Sequence, residues 1–240
     1  MAKNSVLVTH IDQAHSYEEV WELQTFLQKG LISAKRSGVV DKPNHLLLCE
    51  HPPVYTLGKS GDIAHLKKSK EELAAESVTF YKINRGGDIT YHGPGQVTVY
   101  PILDMDHFYH DLHRYVRELE QIVINVLAHY GIVGGRIDEF TGVWIDVDSP
   151  NKRKICAIGI HMSRWVSMHG LALNIDTDLS YFNNIIPCGI NDDDKTVTSI
   201  SQELGHKVDR KEVEELLVKE FAEMFGFTAV AASMSSIDQP

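Results

Sequence analysis

The sequence predicts one mixed α/β or α+β body. Short β-branched runs are interspersed with three amphipathic helical stretches, no repeat or low-complexity linker divides the chain, and 240 residues suffice to bury a sizeable core. We place a single domain over residues 1–228, with room in it for a smaller C-terminal lobe. Residues 229–240, where alanine and serine accumulate, read as a flexible tail.

Val6–Ile11 reads as the first strand. Ser16 followed by Glu19 has the form of a capping box, and Tyr17, Val20, Trp21, Leu23, Leu27 and Leu31 recur at helical spacing as far as Lys35. His45–Cys49 is a short buried strand, whereas two prolines and a closing glycine in Glu50–Gly58 predict an irregular wall. Ser69 with Glu72 opens a short helix, and Val78–Ile83 follows as a strand. Val97–Leu103 is another, whose Pro101 has no backbone donor and so predicts an edge, a bulge or an early end.

Leu112, Tyr115, Val116, Leu119, Ile122, Val123 and Val126 give the inner face of a long helix over 111–130, stopped near Gly131. Gly142–Val147 and Lys154–Ile160 form a hairpin across a polar connection, and Gly170–Ile175 is a further strand. Asp178–Asn184 makes a helical turn, and Ile185–Ile190, interrupted by Pro-Cys-Gly, is a shaped segment. Asp209 with Glu212 caps a last helix whose inner residues are Val213, Leu216, Leu217, Phe221 and Met224, ending before Gly226.

A formal charge of -10 disfavours a broad polyanion-binding surface, so nucleic acid is a poor candidate partner. No apolar run approaches the ~20 residues of a membrane span, and the N-terminal residues lack a signal-peptide core. The three cysteines, Cys49, Cys156 and Cys188, have neither C-x-x-C spacing nor a disulfide framework. We expect free thiols in a reducing cytoplasmic compartment.

Arg85–Gln96 holds four glycines and a proline, which excludes a helix interior and predicts a shaped loop. It matches neither a phosphate-binding Gly-Lys-Ser/Thr loop nor a dinucleotide fingerprint. Arg85, Tyr91, His92 and Gln96, set at intervals along it, suit a pocket rim; a plain turn between two strands is the alternative.

For chemistry, Cys188 is the best nucleophile, lying in a break between Pro187 and Gly189. Cys49 and Cys156 sit in apolar runs, where a thiol behaves as a small hydrophobe. A cysteine nucleophile needs a proton acceptor, and His92, His161, His169 and Lys154 are the candidates. Strand alternation puts Lys154, Cys156 and Ile158 on one face, where desolvation would lower a lysine pKa. A hairpin-end lysine in the charged run Lys152–Lys154 is the competing reading. His161 and His169 read as loop residues. Neither His161 nor His169 has the i,i+4 partner or H-E-x-x-H arrangement of a helical zinc site and no G-x-S-x-G elbow occurs, so neither metal nor Ser/His/Asp chemistry is indicated.

Taken together, Arg85–Gln96, Gly142-Val-Trp144, Lys154–Gly159, Met168–Asn174, Pro187–Ile190 and Val197-Thr-Ser199 resemble the lipoyl(octanoyl) transferase family from about Val6 to Phe225. The resemblance implies a mixed-sheet fold similar to lipoate and biotin protein ligases. It implies transfer of an octanoyl group from octanoyl-acyl carrier protein to a lysine on lipoyl domains of 2-oxoacid dehydrogenase complexes or the glycine-cleavage H protein, by a monomer without a cofactor.

It also implies Cys188 and Lys154 as the catalytic pair and a substrate cleft made by Arg85, Gly86, Gly87, Asp88, Ile89, Thr90, Tyr91, His92, Ala157, Ile158, Gly159, His169, Gly170, Leu171 and Ala172. Cys156 stands in the motif where the family commonly has a small residue, which suggests a second thiol near the pocket. Lys67, Lys68 and Lys70, or Lys152 and Arg153, are candidates for steering an acidic carrier. An ATP-dependent lipoate or biotin ligase and a non-catalytic lipoyl-domain-binding protein are the alternative functions.

Overall fold

A computed structural model describes residues 5–39, 42–186 and 195–237. Strands are β1 (Ser5–Ile11), β2 (Asn44–Cys49), β3 (Val54–Leu57), β4 (Thr79–Lys82), β5 (Ile89–His92), β6 (Gln96–Ile102), β7 (Gly134–Ile137), β8 (Phe140–Ile145), β9 (Lys152–Ser163), β10 (Val166–Asn174), β11 (Lys195–Val197) and β12 (Thr228–Ala232). Helices are α1 (Tyr17–Arg36), α2 (Lys70–Ala75), α3 (Leu112–His129), α4 (Ile200–Leu204) and α5 (Arg210–Phe225).

The main sheet runs β12-β1-β2-β6-β10-β9-β8-β7, with β11 added beside β9; a second sheet runs β4-β3-β5. Within the main sheet β1 is parallel to β12 and β2, and β9 to β11, while the other pairs are antiparallel. Alternation assigns the faces. Leu46 and Leu48 of β2, with Val97 and Val99 of β6, join the core under α3 and α5. Leu47 and Cys49, with Tyr100 and Ile102, join the core under α1.

Two of the three predicted capping boxes form: Ser16 with Glu19 begins α1 and Ser69 with Glu72 begins α2. Asp209 caps α5 through the amide of Lys211, without the reciprocal Glu212 contact a capping box requires. On α3 the predicted inward face is buried except at Leu112, which is 43% exposed in the first turn, and at Val116, which is half-buried.

The structure departs from the sequence reading in several places. Val54–Leu57, expected to be irregular, is the central strand of the small sheet, and Ile89–His92, expected to be loop, pairs with it. Prolines and glycines flank both segments but leave four residues free to pair. Residues 229–232, expected in the flexible tail, form β12 together with Thr228 on the edge of the main sheet, and α5 packs on α3.

Pro101 lies inside β6, between β2 and β10. The β6–β10 ladder covers residues 96–99, and His169, opposite Pro101 on the continuation of that register, has φ +59°. The missing donor therefore falls beyond the end of that ladder. Gly170 completes the fit, since a Cβ there would lie 2.1 Å from the Val99 carbonyl oxygen and 2.8 Å from Pro101 Cδ.

No helix of the described residues is long and apolar enough to cross a membrane.

Candidate active site

The two sheets meet where the Gly86 amide donates to the Ile160 carbonyl across 2.8 Å. A Cβ on Gly159 would stand 2.8 Å from the Gly86 oxygen, so this approach needs a glycine there. Between the sheets lies a cavity of about 970 Å³, of the size of a small-molecule site. Its walls are β5 from the small sheet, β9 and β10 from the main sheet, and the turn Leu179–Asn184.

Among the expected cleft residues, Arg85, Gly87, Asp88, Ile89, Thr90, His92, Ala157, Ile158, Gly159, His169, Gly170, Leu171 and Ala172 line this cavity together with Lys154. Gly86 sits behind the lining. Tyr91 also turns away, its ring stacked on Tyr181 at 4.5 Å in the core of the small sheet. Cys188 lies outside the described residues. The chain approaches it through Ile185 and Ile186 and returns from it through Thr196 and Val197, and all four line the cavity.

The predicted common face of Lys154 and Cys156 does not form. Val143 is opposite Cys156 and Trp144 opposite Lys154, so Ile155 is one residue too many and β9 bulges there. Lys154 is thereby turned into the cavity, with Nζ 4.6 Å from the Trp144 ring centroid. Cys156 falls into the main core beside Ile155 and Val143. Burial pushes its thiol pKa up, which makes it an inert core residue and not a second thiol of the cavity. Cys49 is likewise buried, with its pKa raised by burial.

His161 and His169, expected in loops, are on β9 and β10. His169 Nε2 bonds Asn84 Oδ1 at 2.7 Å, and burial lowers its pKa to about 3. His92, also buried, has its pKa lowered to about 4, chiefly by desolvation. At neutral pH both are uncharged, so neither presents a cation to the cavity.

Arg85 braces the small sheet: Nη2 donates to the Thr56 carbonyl (2.6 Å) and hydroxyl (3.0 Å), and Nη1 to the Gly86 carbonyl (3.0 Å). Asp88 accepts from the Ile89 amide at 2.7 Å and bonds His65 at 2.6 Å. Tyr17, Tyr100, Phe140, Trp144, Phe182 and Ile185 add apolar and aromatic surface, beside the polar Lys67, Glu139, Thr141, Asn183 and Gln202. The lining thus combines apolar and aromatic surface with two lysine side chains, Lys67 and Lys154.

Residues 16–222 match the lipoyl protein ligase A/B catalytic domain. Over 215 residues the chain is 53% identical to an octanoyltransferase of Christiangramia forsetii, covering 87% of this chain and 91% of that protein. An octanoyltransferase of Flavobacterium psychrophilum is 51% identical over 220 residues, covering 89% and 94%.

The chain belongs to the octanoyltransferase family.

As a family member it is an acyltransferase with the lipoate/biotin ligase-like fold. The fold itself recurs in the bipartite lipoate protein ligase of Thermoplasma acidophilum, with TM-score 0.69 at 17% identity, over 96% of this chain and 87% of that one. The cavity also takes in residues that the motif reading passed over. Tyr17 comes from the inner face of α1, Tyr100 from β6 and Phe182 from the turn after β10, each distant in sequence from the glycine-rich stretch. Trp144 and Asn174 stood inside recognised motifs but carried no assigned role.

Proposed function

We propose that this chain transfers an octanoyl group from octanoyl-acyl carrier protein to a lysine of lipoyl domains, through a thioester on Cys188 with Lys154 as acid and base. The observation that carries the reading is the place of Lys154: it lines a cavity with apolar and aromatic surface, and the described residues on either side of the segment bearing Cys188 line the same cavity. The names of the relatives supply the acyl group. Lipoyl domains of 2-oxoacid dehydrogenase complexes and the glycine-cleavage H protein are the acceptors this reading implies.

In the first half-reaction neutral Lys154 takes the Cys188 proton, and the thiolate attacks the carrier thioester. The tetrahedral intermediate collapses to octanoyl-Cys188, and the carrier leaves as its thiol with a proton from Lys154. In the second, the neutral acceptor amine attacks the new thioester. Its proton passes through Lys154 to the departing Cys188 sulfur, and an amide forms. Dividing the transfer lets two protein partners use one cleft in succession. Burying roughly seven carbons beyond the carbonyl, at about 0.8 kcal/mol each, would anchor the acyl chain by about 6 kcal/mol.

The carrier-steering groups differ in their surroundings. Lys68 pairs with Glu76, and Arg153 with Glu203 at 2.9 Å and Asp146 at 2.8 Å, so carboxylates of the chain already answer those charges. Lys67 lines the cavity and donates to the Asn183 carbonyl at 3.2 Å, which makes it the better candidate for meeting an acidic carrier.

The test is intact-protein mass analysis after mixing with octanoyl-acyl carrier protein without ATP, then addition of a lipoyl domain. One octanoyl adduct should appear and then be discharged to the acceptor. Cys188→Ala should carry no adduct and Lys154→Ala should form it far more slowly. Undiminished transfer by Cys188→Ala, or transfer that requires ATP, overturns the reading.

A further inference from the structure

Strand β10 borders β9 only as far as Leu173 opposite Cys156. From Lys154 onward β11 takes over that edge, with Val197 opposite Lys154, and the Thr198 amide donates to the Lys154 carbonyl at 3.0 Å. The handover falls at the bulge that turns Lys154 inward. It also falls where the segment carrying Cys188 rejoins the sheet.

A chain of buried polar side chains ends on this joint. Arg85 Nη2 donates to Thr56 Oγ1 (3.0 Å), Thr56 Oγ1 is 3.4 Å from His92 Nε2, and His92 Nδ1 is 2.8 Å from Gln96 Oε1. Gln96 Nε2 donates to Asn174 Oδ1 (2.9 Å) and to the Tyr91 carbonyl (3.2 Å), and Asn174 Nδ2 donates to the Thr198 carbonyl (3.0 Å).

Its direction is fixed from both ends. A guanidinium only donates and a backbone carbonyl only accepts. Starting at Thr198, Asn174 must turn its nitrogen to the carbonyl, so its oxygen must be served by the Gln96 nitrogen, and the Gln96 oxygen by a proton on His92 Nδ1. Starting at Arg85, the Thr56 hydroxyl proton is left for His92 Nε2. A neutral imidazole with one donor and one acceptor joins the halves in only one sense. Burial keeps His92 in that form, with its pKa near 4.

We infer that Gln96 and Asn174 are positioning residues for the transfer reaction: the one-way chain that they complete holds β11 in register against Lys154, and so sets where the Cys188 segment returns beside the amine. The inference rests on the reaction proposed above. Neither side chain takes part in proton transfer. Both act through the backbone of Thr198.

The one-way order makes the closest isostere the worst substitution. Gln96→Glu sets an acceptor against Asn174 Oδ1, and turning the Asn174 amide over only moves the conflict to the Thr198 carbonyl. Gln96→Met fills similar space and leaves Asn174 able to serve Thr198. Single-turnover formation of octanoyl-Cys188 should fall roughly 10- to 100-fold in Gln96→Glu, with the donor concentration for half-maximal rate within about twofold of native. Gln96→Met should retain the faster rate of the two. Amide hydrogen exchange over 195–199 should accelerate in Gln96→Glu.

Asn174→Asp poses the same conflict one bond further on and serves in place of Gln96→Glu should that variant not fold. Gln96→Glu at native rate, Gln96→Met slower than Gln96→Glu, or a loss confined to donor affinity overturns the inference. Native exchange over 195–199 in Gln96→Glu also overturns it, without touching Cys188 labelling. Undiminished transfer by Cys188→Ala removes the reaction instead, and leaves the exchange result to stand by itself.

Discussion

Lowering the pH should unfold this protein well before its carboxylates are protonated, because the fold keeps several imidazoles neutral. Burial lowers the pKa of His45 and His92 to about 4 and of His169 to about 3, and holds His51 well below the ordinary value. Each is buried, so solvent screening takes little from the effect. The unfolded chain returns them to about 6.5. Between the folded and unfolded values the unfolded state binds more protons, so stability rises with pH and is lost as pH falls through 6.5 towards 4.

At about pH 5 each of His45, His92 and His169 costs about 2 kcal/mol relative to neutral pH, about 6 kcal/mol for the three. His51 acts in the same direction. Domains of ordinary stability hold about 5–15 kcal/mol, so such a loss should bring acid unfolding near pH 5. The assay is denaturant unfolding followed by far-UV circular dichroism at a series of pH values between about 7.5 and 5. His45→Gln, away from the cavity, should flatten the pH slope by about a third of the summed effect. Stability that stays constant within about 1 kcal/mol across this range would refute the reasoning, since neutral buried imidazoles require the loss.

Glu120 is fully buried and accepts from Arg136 Nε (2.9 Å) and the Gly142 amide (3.1 Å), with Arg117 Nη1 also at 2.9 Å. Glu120→Ala leaves the buried Gly142 amide without its acceptor and two partly exposed arginines without their carboxylate, and should cost about 1–3 kcal/mol, read as a fall of roughly 2–12 °C in Tm; an unchanged Tm would show that the site is rebuilt around water. Lys67→Glu should slow association with the acyl carrier several-fold at low salt, roughly, and weaken the salt dependence, as measured by stopped-flow mixing. Identical rates and salt slopes would exclude Lys67 from steering.

Much of the fold was legible because local rules wrote it. The capping boxes at Ser16 and Ser69 fix two helix starts through side chains a few residues from the amides they serve. The apolar periodicity of α1, α3 and α5 marks the faces they bury. The small sheet was not legible: Val54–Leu57 and Ile89–His92 are four-residue strands among prolines and glycines, and their partner strands lie far along the chain. Pro101 misled for a related reason, since whether a missing donor matters depends on whether its neighbour still asks for one.

By itself the sequence determined the residue types, their order and the family they belong to: a sulfur at 188, an amine at 154 and glycines where two backbones must nearly touch. Tertiary structure decided which of them face the same space. One additional residue in β9 sends Lys154 into the chamber and Cys156 into the core, against the simple alternation of a strand, because register is settled between strands and not within one. In the same way, the direction of the polar chain from Arg85 to Thr198 exists only once six distant positions have been brought together.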